Sequence, residues 1–172
     1  MHCEAIMATP HAISCKEHVT RPFRDVSAVL RRDPLDLLQR ATTSASARAE
    51  SLATTLRLGL GGLDVSVDVR LHVRRCHEDR VVDGAPGALR LELSWDAMKN
   101  PKLFPSMLAE LVATPLSDAE TRVEIQGAYW TPMGAAGAVF DAAVGHRLAE
   151  AVLRRFLVDL VEQLRREIPD RN

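Results

Sequence analysis

A histidine and two carboxylates near the end of the chain have the spacing of a helical acid–base pair. His146 and Glu150 are four residues apart, and Asp141 precedes His146 on the same stretch. Residues four apart are neighbours on a helix, so this pair has the chemistry of a general base for enolisation or dehydration. It would equally serve as a surface contact that orients the helix. We favour the surface contact over the general base, so His146 and Glu150 remain weak candidates for catalysis.

Two aromatic residues lie at inward positions of alternating strands. Trp95 shares an apolar face with Leu93, and Tyr129 shares another with Ile125. The tyrosine hydroxyl would hydrogen-bond either a ligand or a backbone group beneath a helix. Core packing is favoured over ligand stacking, although the two roles overlap in a protein with a cavity. With two residues of the last helix added, the predicted ligand-lining set is Tyr129, Trp95, Phe140, Leu93, Ile125 and Val144.

No cofactor or metal is expected. The glycines Gly134 and Gly137 lack a phosphate-loop pattern. Asp64 and Asp68 lie on a solvated strand face, where residues two apart are separated by about 7 Å, too far to converge on a metal. The three cysteines form no CxxC motif, which is typical of reduced thiols in a cytosolic protein.

Composition excludes several classes of partner. The chain of 172 residues carries 22 basic and 23 acidic residues and only 4% aromatic residues, so no nucleic-acid surface is expected. The longest uncharged run of its C-terminal half, 128–140, is shorter than the roughly 20 residues of a membrane span. No signal peptide is visible. We expect a cytoplasmic protein without stable membrane insertion, of undetermined oligomeric state.

The positioning elements follow from hydrophobic periodicity. One strand, then two short helices that start near Pro22 and Pro34, precede a series of alternating strands. A long helix then runs from about Gly134 to Glu167, with its charged residues, Arg155 and Asp159 included, mostly opposite the apolar stripe. A loop is expected at 77–87, with Val81-Val82 as an alternative short strand. The predicted strands are Ile13–Val19, Leu52–Leu60, Leu63–Val73, Leu89–Trp95, Leu103–Thr114 and Thr121–Trp130.

This order predicts an α+β helix-grip fold, in which a curved antiparallel sheet of six or seven strands holds the long C-terminal helix across its concave face. It resembles the START-like (SRPBCC) superfamily, which includes polyketide cyclases and dehydrases. One bacterial branch is similar at Trp95, Leu103-Phe104-Pro105, Leu111, Gly127-x-Tyr129-x-x-Pro132-x-Gly134-x-x-Gly137, Asp141 and His146-Arg147-x-Ala149-Glu150-Ala151. Thr131 departs from that pattern, which has a proline there. We expect residues 1–10 to be a disordered extension and 11–168 to form one domain.

Three functions remain open for this fold. The first is binding of an apolar small molecule, of lipid, polyketide or isoprenoid type, in a cavity between sheet and helix. The second, implied by the resemblance, is a cyclase or dehydratase, which needs a polar group inside the cavity. The third is a structural or interaction protein whose interior is filled by side chains. Binding without catalysis is favoured.

Overall fold

The computed structural model describes residues 10–43, 69–79, 87–97, 106–130 and 142–169. Within these ranges the chain forms five strands and three helices. The strands are β1 (Pro10–Val19), β2 (Val69–Glu78), β3 (Leu89–Ala97), β4 (Ser106–Ser117) and β5 (Glu120–Trp130). The helices are α1 (Phe23–Arg32), α2 (34–43) and α3 (Ala142–Glu167).

The strands form one antiparallel sheet in the order β1-β5-β4-β3-β2. One row of paired residues crosses all five strands, and three of its members are fully buried leucine or isoleucine side chains. Because side chains alternate along a strand, this row defines the inner face that the helices cover. The row consists of Cys15, Ile125, Leu111, Leu91 and Cys76.

The two short helices after β1 are confirmed. In α1 the buried residues Phe23, Val26 and Leu30 recur at helical spacing and lie in the core. Asp33 separates α1 from α2, and its Oδ1 accepts a hydrogen bond of 3.1 Å from the backbone N–H of Asp36. An aspartate cap of this kind satisfies a free N–H of the first helical turn.

Helix α3 has 26 described residues, a length of about 39 Å. It packs chiefly over β1 and then β5, with its apolar stripe facing the sheet. The predicted start near Gly134 lies outside the described ranges, which resume at Ala142 within the helix. The buried residues of the stripe and the turn after it are Leu153, Phe156, Leu157, Leu160, Val161, Leu164 and Ile168.

Polar contacts fix the C-terminal end of α3 to the first fifty residues. Arg21 Nε donates a hydrogen bond of 2.8 Å to the carbonyl oxygen of Ile168. Arg165 Nη2 donates a hydrogen bond of 3.0 Å to the carbonyl oxygen of His18. The carboxylate of Glu167 accepts from Arg40 at 2.8 Å and also from Arg32. These contacts hold the helix end against the end of β1 and against both short helices.

The strand count differs from the prediction, since the described residues form five strands instead of six or seven. The predicted strand 52–60, most of 63–73 and the alternative strand Val81-Val82 lie outside the described ranges. The loop predicted at 77–87 begins later, because β2 continues to Glu78. A register shift between Val73 and Arg75 accounts for the difference: it interrupts the alternation and then restores pairing, with Arg75 opposite Glu92.

Candidate functional site

A groove of about 550 Å³ opens between the β1–β5 pair and the first half of α3. Ile13 and Gly127, paired across the two strands, contribute apolar surface, and Glu150 contributes a carboxylate from α3. Three exposed residues complete the described part of the lining: Ala12, Ser14 and Gln126. The groove therefore joins an apolar floor to a polar margin.

Position 127 must be a glycine because the backbone of β4 lies too close to leave room for a Cβ atom. A Cβ atom at this position would lie 2.2 Å from the carbonyl oxygen of Leu108 and 2.7 Å from the Cα of Ala109. Both obstacles are backbone atoms of the neighbouring strand, which cannot move aside as a flexible side chain does. A glycine in a strand interior commonly marks such an approach. The close approach of β4 therefore accounts for glycine at position 127.

Tyr129 lies two residues beyond Gly127 on the inner face and is buried. Its ring stacks on His11 of β1, with ring centroids 5.1 Å apart and an interplanar angle of 22°. Burial raises the pKa of the Tyr129 phenol, and the negative charge of Glu150 raises this pKa further. The phenol is therefore held neutral beside the groove, and Glu150 is close enough to influence it.

Tyr129 is the only tyrosine of the chain, so its titration can be read directly from absorbance at 295 nm. We expect the midpoint to lie above the ordinary value of 10.0 in the folded protein and to return to that value in urea. Glu150→Gln is expected to lower the folded-state midpoint. Because the pKa of Tyr129 is raised in the folded state, the protonated phenol stabilises the fold below the unfolded-state pKa. This stabilisation is lost as the pH rises through the folded-state pKa. Coinciding folded and unfolded midpoints would contradict this environment.

Cys15 lies on the inner face of β1, two residues from Ile13, and is half-buried. Burial is the main cause that raises the pKa of its thiol; Arg154 opposes this, while Glu150 and Glu17 add to it. A protonated thiol is a poor nucleophile and a poor metal ligand. This environment therefore favours an unreactive Cys15.

The other predicted ligand-lining residues divide into two groups. Trp95, Leu93 and Ile125 are buried on the inner face of the sheet, at 8%, 1% and 0% exposure. Phe140 lies outside the described residues, as do the side chains of Val144 and His146, whose backbone belongs to the first turns of α3. Of the predicted site residues that the structure describes, Glu150 lines the groove, and Tyr129 follows the lining residue Gly127 by two positions on the same strand face.

Trp95 connects the sheet to both α3 and α2. Its ring meets Phe156 of α3 edge to face, with centroids 5.6 Å apart at 90°. Its indole Nε1 donates to Thr42 Oγ1 at 3.4 Å, and the Thr42 hydroxyl donates to the Leu38 carbonyl oxygen at 2.8 Å. A buried tryptophan needs such a partner for its N–H.

Asp159 was predicted on the solvent face of the last helix, and that prediction is wrong: its side chain is only 5% exposed. Arg155 Nη2 contacts Asp159 Oδ1 at 2.5 Å. Asp159 Oδ2 and Arg155 Nε are buried and have no hydrogen-bond partner in the part of the chain that the structure describes. The sequence offered one signal, since apolar Phe156 and Leu160 stand three residues before and one after Asp159.

Among the described ranges no cluster of three or more histidine, cysteine, aspartate or glutamate side chains is arranged to hold a metal ion. In the same ranges, no helix combines the length and apolar character needed to cross a bilayer.

Comparison with known proteins finds likeness only among solved structures. No protein-family model matches the chain, and no curated protein matches it. The Zhui aromatase/cyclase from Streptomyces sp. R1128 is 13% identical with a TM-score of 0.42, over 92% of this chain and 95% of that one. A START superfamily protein from Mycobacterium smegmatis is 13% identical with a TM-score of 0.41, over 91% and 98%.

A third similar structure is truncated norcoclaurine synthase from Thalictrum flavum. It is 9% identical with a TM-score of 0.47, and the match covers 94% of this chain and 96% of that one. At such identities the likeness concerns the fold alone. The element order of the described residues agrees with the resemblance to the START-like (SRPBCC) superfamily in having an antiparallel sheet, two short helices after the first strand and a long last helix.

Proposed function

We propose that the protein binds an apolar small molecule between the inner face of the sheet and α3. The observation that carries this proposal is the groove of about 550 Å³ between the β1–β5 pair and α3. Ligand sites in proteins usually have volumes of about 300–1,000 Å³ and combine apolar walls with a few polar groups. The groove has a volume in this range, and its described lining is mixed, with Ala12, Ile13 and Gly127 beside the polar Ser14, Gln126 and Glu150.

The lining favours a ligand with an apolar body and one polar end. Ile13 and Gly127 offer apolar contact, and Tyr129 adds a buried ring nearby. Glu150 and Gln126 stand at the margin, where a polar end meets water. Molecules of the lipid, polyketide or isoprenoid type combine an apolar body with a polar end in this way.

Binding is put before catalysis because of the groups around the groove. Burial raises the pKa of both Tyr129 and Cys15, and Glu150 adds to each shift. Neither group then supplies a base or an anionic nucleophile at neutral pH. A cyclase or dehydratase on this scaffold would depend on Glu150 together with His146, whose side chain lies outside the described residues.

Native mass spectrometry of the purified protein, followed by thermal shifts with fatty acids, isoprenoid alcohols and polycyclic aromatics, tests the proposal. A true ligand at one hundred times its Kd is expected to raise Tm by about 5–10 °C. Glu150→Trp fills the groove from the α3 side and should abolish that rise. Glu162→Trp is the matched control, because Glu162 is an exposed glutamate of the same helix that does not line the groove.

Two outcomes count against the proposal. One is the repeated absence of both a co-purified apolar molecule and a thermal shift across the panel. The other is a ligand whose shift survives Glu150→Trp and is lost in Glu162→Trp, which would place the bound molecule elsewhere on the protein.

A further inference from the structure

Strand β2 presents a line of exposed basic side chains on the outer face of the sheet, which is the face turned away from the helices. Leu71 lies opposite Trp95 on the inner face, and Cys76 belongs to the inner row described above. The residues that alternate with them therefore point outward, and the register shift after Val73 preserves this arrangement in the second half of the strand. The basic strip consists of Arg70, His72, Arg74, Arg75 and His77, with Arg74 at the shift itself, and all five are exposed.

Most charges of the basic strip have no counter-charge within the described ranges. Arg75 pairs with Glu92 at 3.8 Å, and the side chain of that glutamate is itself 43% exposed. Arg70 lies opposite Asp96 in the register, but neither Arg70 nor Arg74 has an ion pair with a described side chain. The strip therefore presents positive charge to solvent along about 20 Å of strand.

One row of paired positions connects the basic strip to the groove across the outer face. The row begins at His72, passes Ser94, Leu108 and Ala128, and ends at Ala12. Leu108 is 43% exposed, and Ala12 lines the groove. With neighbouring strands about 4.8 Å apart, the row is about 19 Å long. Positive charge, an exposed apolar side chain and the edge of the groove thus lie close together on one surface.

The apolar residues of this surface favour a membrane over a nucleic acid as its partner. Trp130 is half-buried and follows Ala128 by two positions on the same strand face as Leu108. Anionic lipid headgroups attract arginine side chains, while leucine and tryptophan side chains are stabilised at the boundary between headgroups and acyl chains. A nucleic acid would use the basic strip through its phosphates but would leave Leu108 without a contact of this kind.

We propose that the outer face docks on an anionic membrane surface through the basic strip, with Leu108 and Trp130 at the interface. Docking in this orientation brings Ala12, and with it the margin of the groove, close to the bilayer in which apolar molecules dissolve. The basic strip lies outside the described groove lining, so docking can be measured without knowing the ligand. Only its role in ligand entry rests on the proposed function.

Sedimentation of the full chain with vesicles tests the docking. The vesicles contain phosphatidylcholine alone or with about 30% phosphatidylserine, and the wild-type protein is expected to bind only the second kind and to dissociate as salt is added. Arg70→Gln/Arg74→Gln should weaken binding about 30-fold, because each arginine near an anionic surface contributes about fivefold. Arg24→Gln/Arg166→Gln makes the same change of charge at exposed positions of α1 and α3 and should alter binding by less than about twofold.

A leucine variant tests the apolar part of the docking surface. Leu108→Ser should weaken vesicle binding about tenfold at every salt concentration, because burial of an apolar side chain is not screened by salt. Leu35→Ser changes an equally exposed leucine of α2, outside the docking surface, and should leave binding unchanged.

Several results would overturn the docking. Equal binding to both kinds of vesicle, or binding to neither, is one of them. Equal losses in Arg70→Gln/Arg74→Gln and Arg24→Gln/Arg166→Gln would show attraction to the total charge alone. Duplex DNA binding that needs Arg70 and Arg74 and is unaffected by Leu108→Ser, without vesicle binding, would assign the strip to a nucleic acid. The groove is tested separately, since a ligand-dependent rise in Tm should persist in Arg70→Gln/Arg74→Gln whether or not vesicles bind.

Discussion

Replacing Gly127 by alanine is expected to lower the free energy of unfolding by about 2–3 kcal/mol. The added Cβ would lie 2.2 Å from the Leu108 carbonyl oxygen and 2.7 Å from the Ala109 Cα, so β4 and β5 must separate locally. Urea unfolding followed by far-ultraviolet circular dichroism measures the loss. The separated strands also carry the groove floor, so weaker ligand binding should accompany the lower stability.

Two further variants show whether the backbone is the obstacle. Gly127→Ala/Ala109→Gly removes the Ala109 Cβ, also 2.7 Å from the added atom, but leaves both backbone contacts, so little stability should return. Ala128→Ser, at the next and half-buried position, should change the free energy by less than about 0.5 kcal/mol. Recovery of most of the loss in the double variant would contradict the close approach of the two strands.

Arg155→Met is expected to lower the free energy of unfolding by about 2–3 kcal/mol, because it leaves the buried Asp159 carboxylate without its counter-charge. This value is below that of a fully buried pair, since Arg155 is 30% exposed. Arg155→Met/Asp159→Leu should return to within about 1 kcal/mol of the wild type, because apolar side chains of similar size replace such pairs at little cost. Chemical unfolding of the three proteins gives this comparison.

The exposed pair on the same helix provides the control for that series. Glu162 and Arg166 are 3.8 Å apart, with side chains 46% and 77% exposed. Arg166→Met should change the free energy of unfolding by less than about 0.5 kcal/mol. If Arg155→Met and the double variant lose the same stability, Arg155 acts through its packing alone and the charge of Asp159 is irrelevant.

The elements that the sequence predicted well are those whose pattern is local. Alternation identified β1, β3 and β5, and the helical period identified α1 and most of α3. The end of β2 was predicted too early, at Val73, because a register shift after that residue breaks the alternation. Pairing with β3 decides where the strand ends. That pairing is a property of two strands together.

Only part of the candidate site was predictable from the sequence. Glu150 was singled out by its type and spacing, and it lines the groove, whereas the role of Tyr129 in ligand binding stays a prediction. Ser14 and Gln126 alternate with the inner-face residues of β1 and β5, so no strand pattern indicated their place in the lining. Asp159 was assigned to the charged face of α3 with most other charged residues of that helix, although its apolar neighbours Phe156 and Leu160 were a signal of its burial.

The long-range contacts of Arg21, just after β1, have a consequence for how the domain acquires its site. The Thr121 hydroxyl donates to the Arg21 carbonyl oxygen across 100 positions of sequence, and the Arg21 side chain reaches Ile168 across 147. Folding must close these very large loops before either contact contributes, and such topologies fold slowly. During synthesis on the ribosome, β1 emerges long before β5 and α3. The β1 side of the groove therefore stays exposed to solvent until the last quarter of the chain has been synthesised.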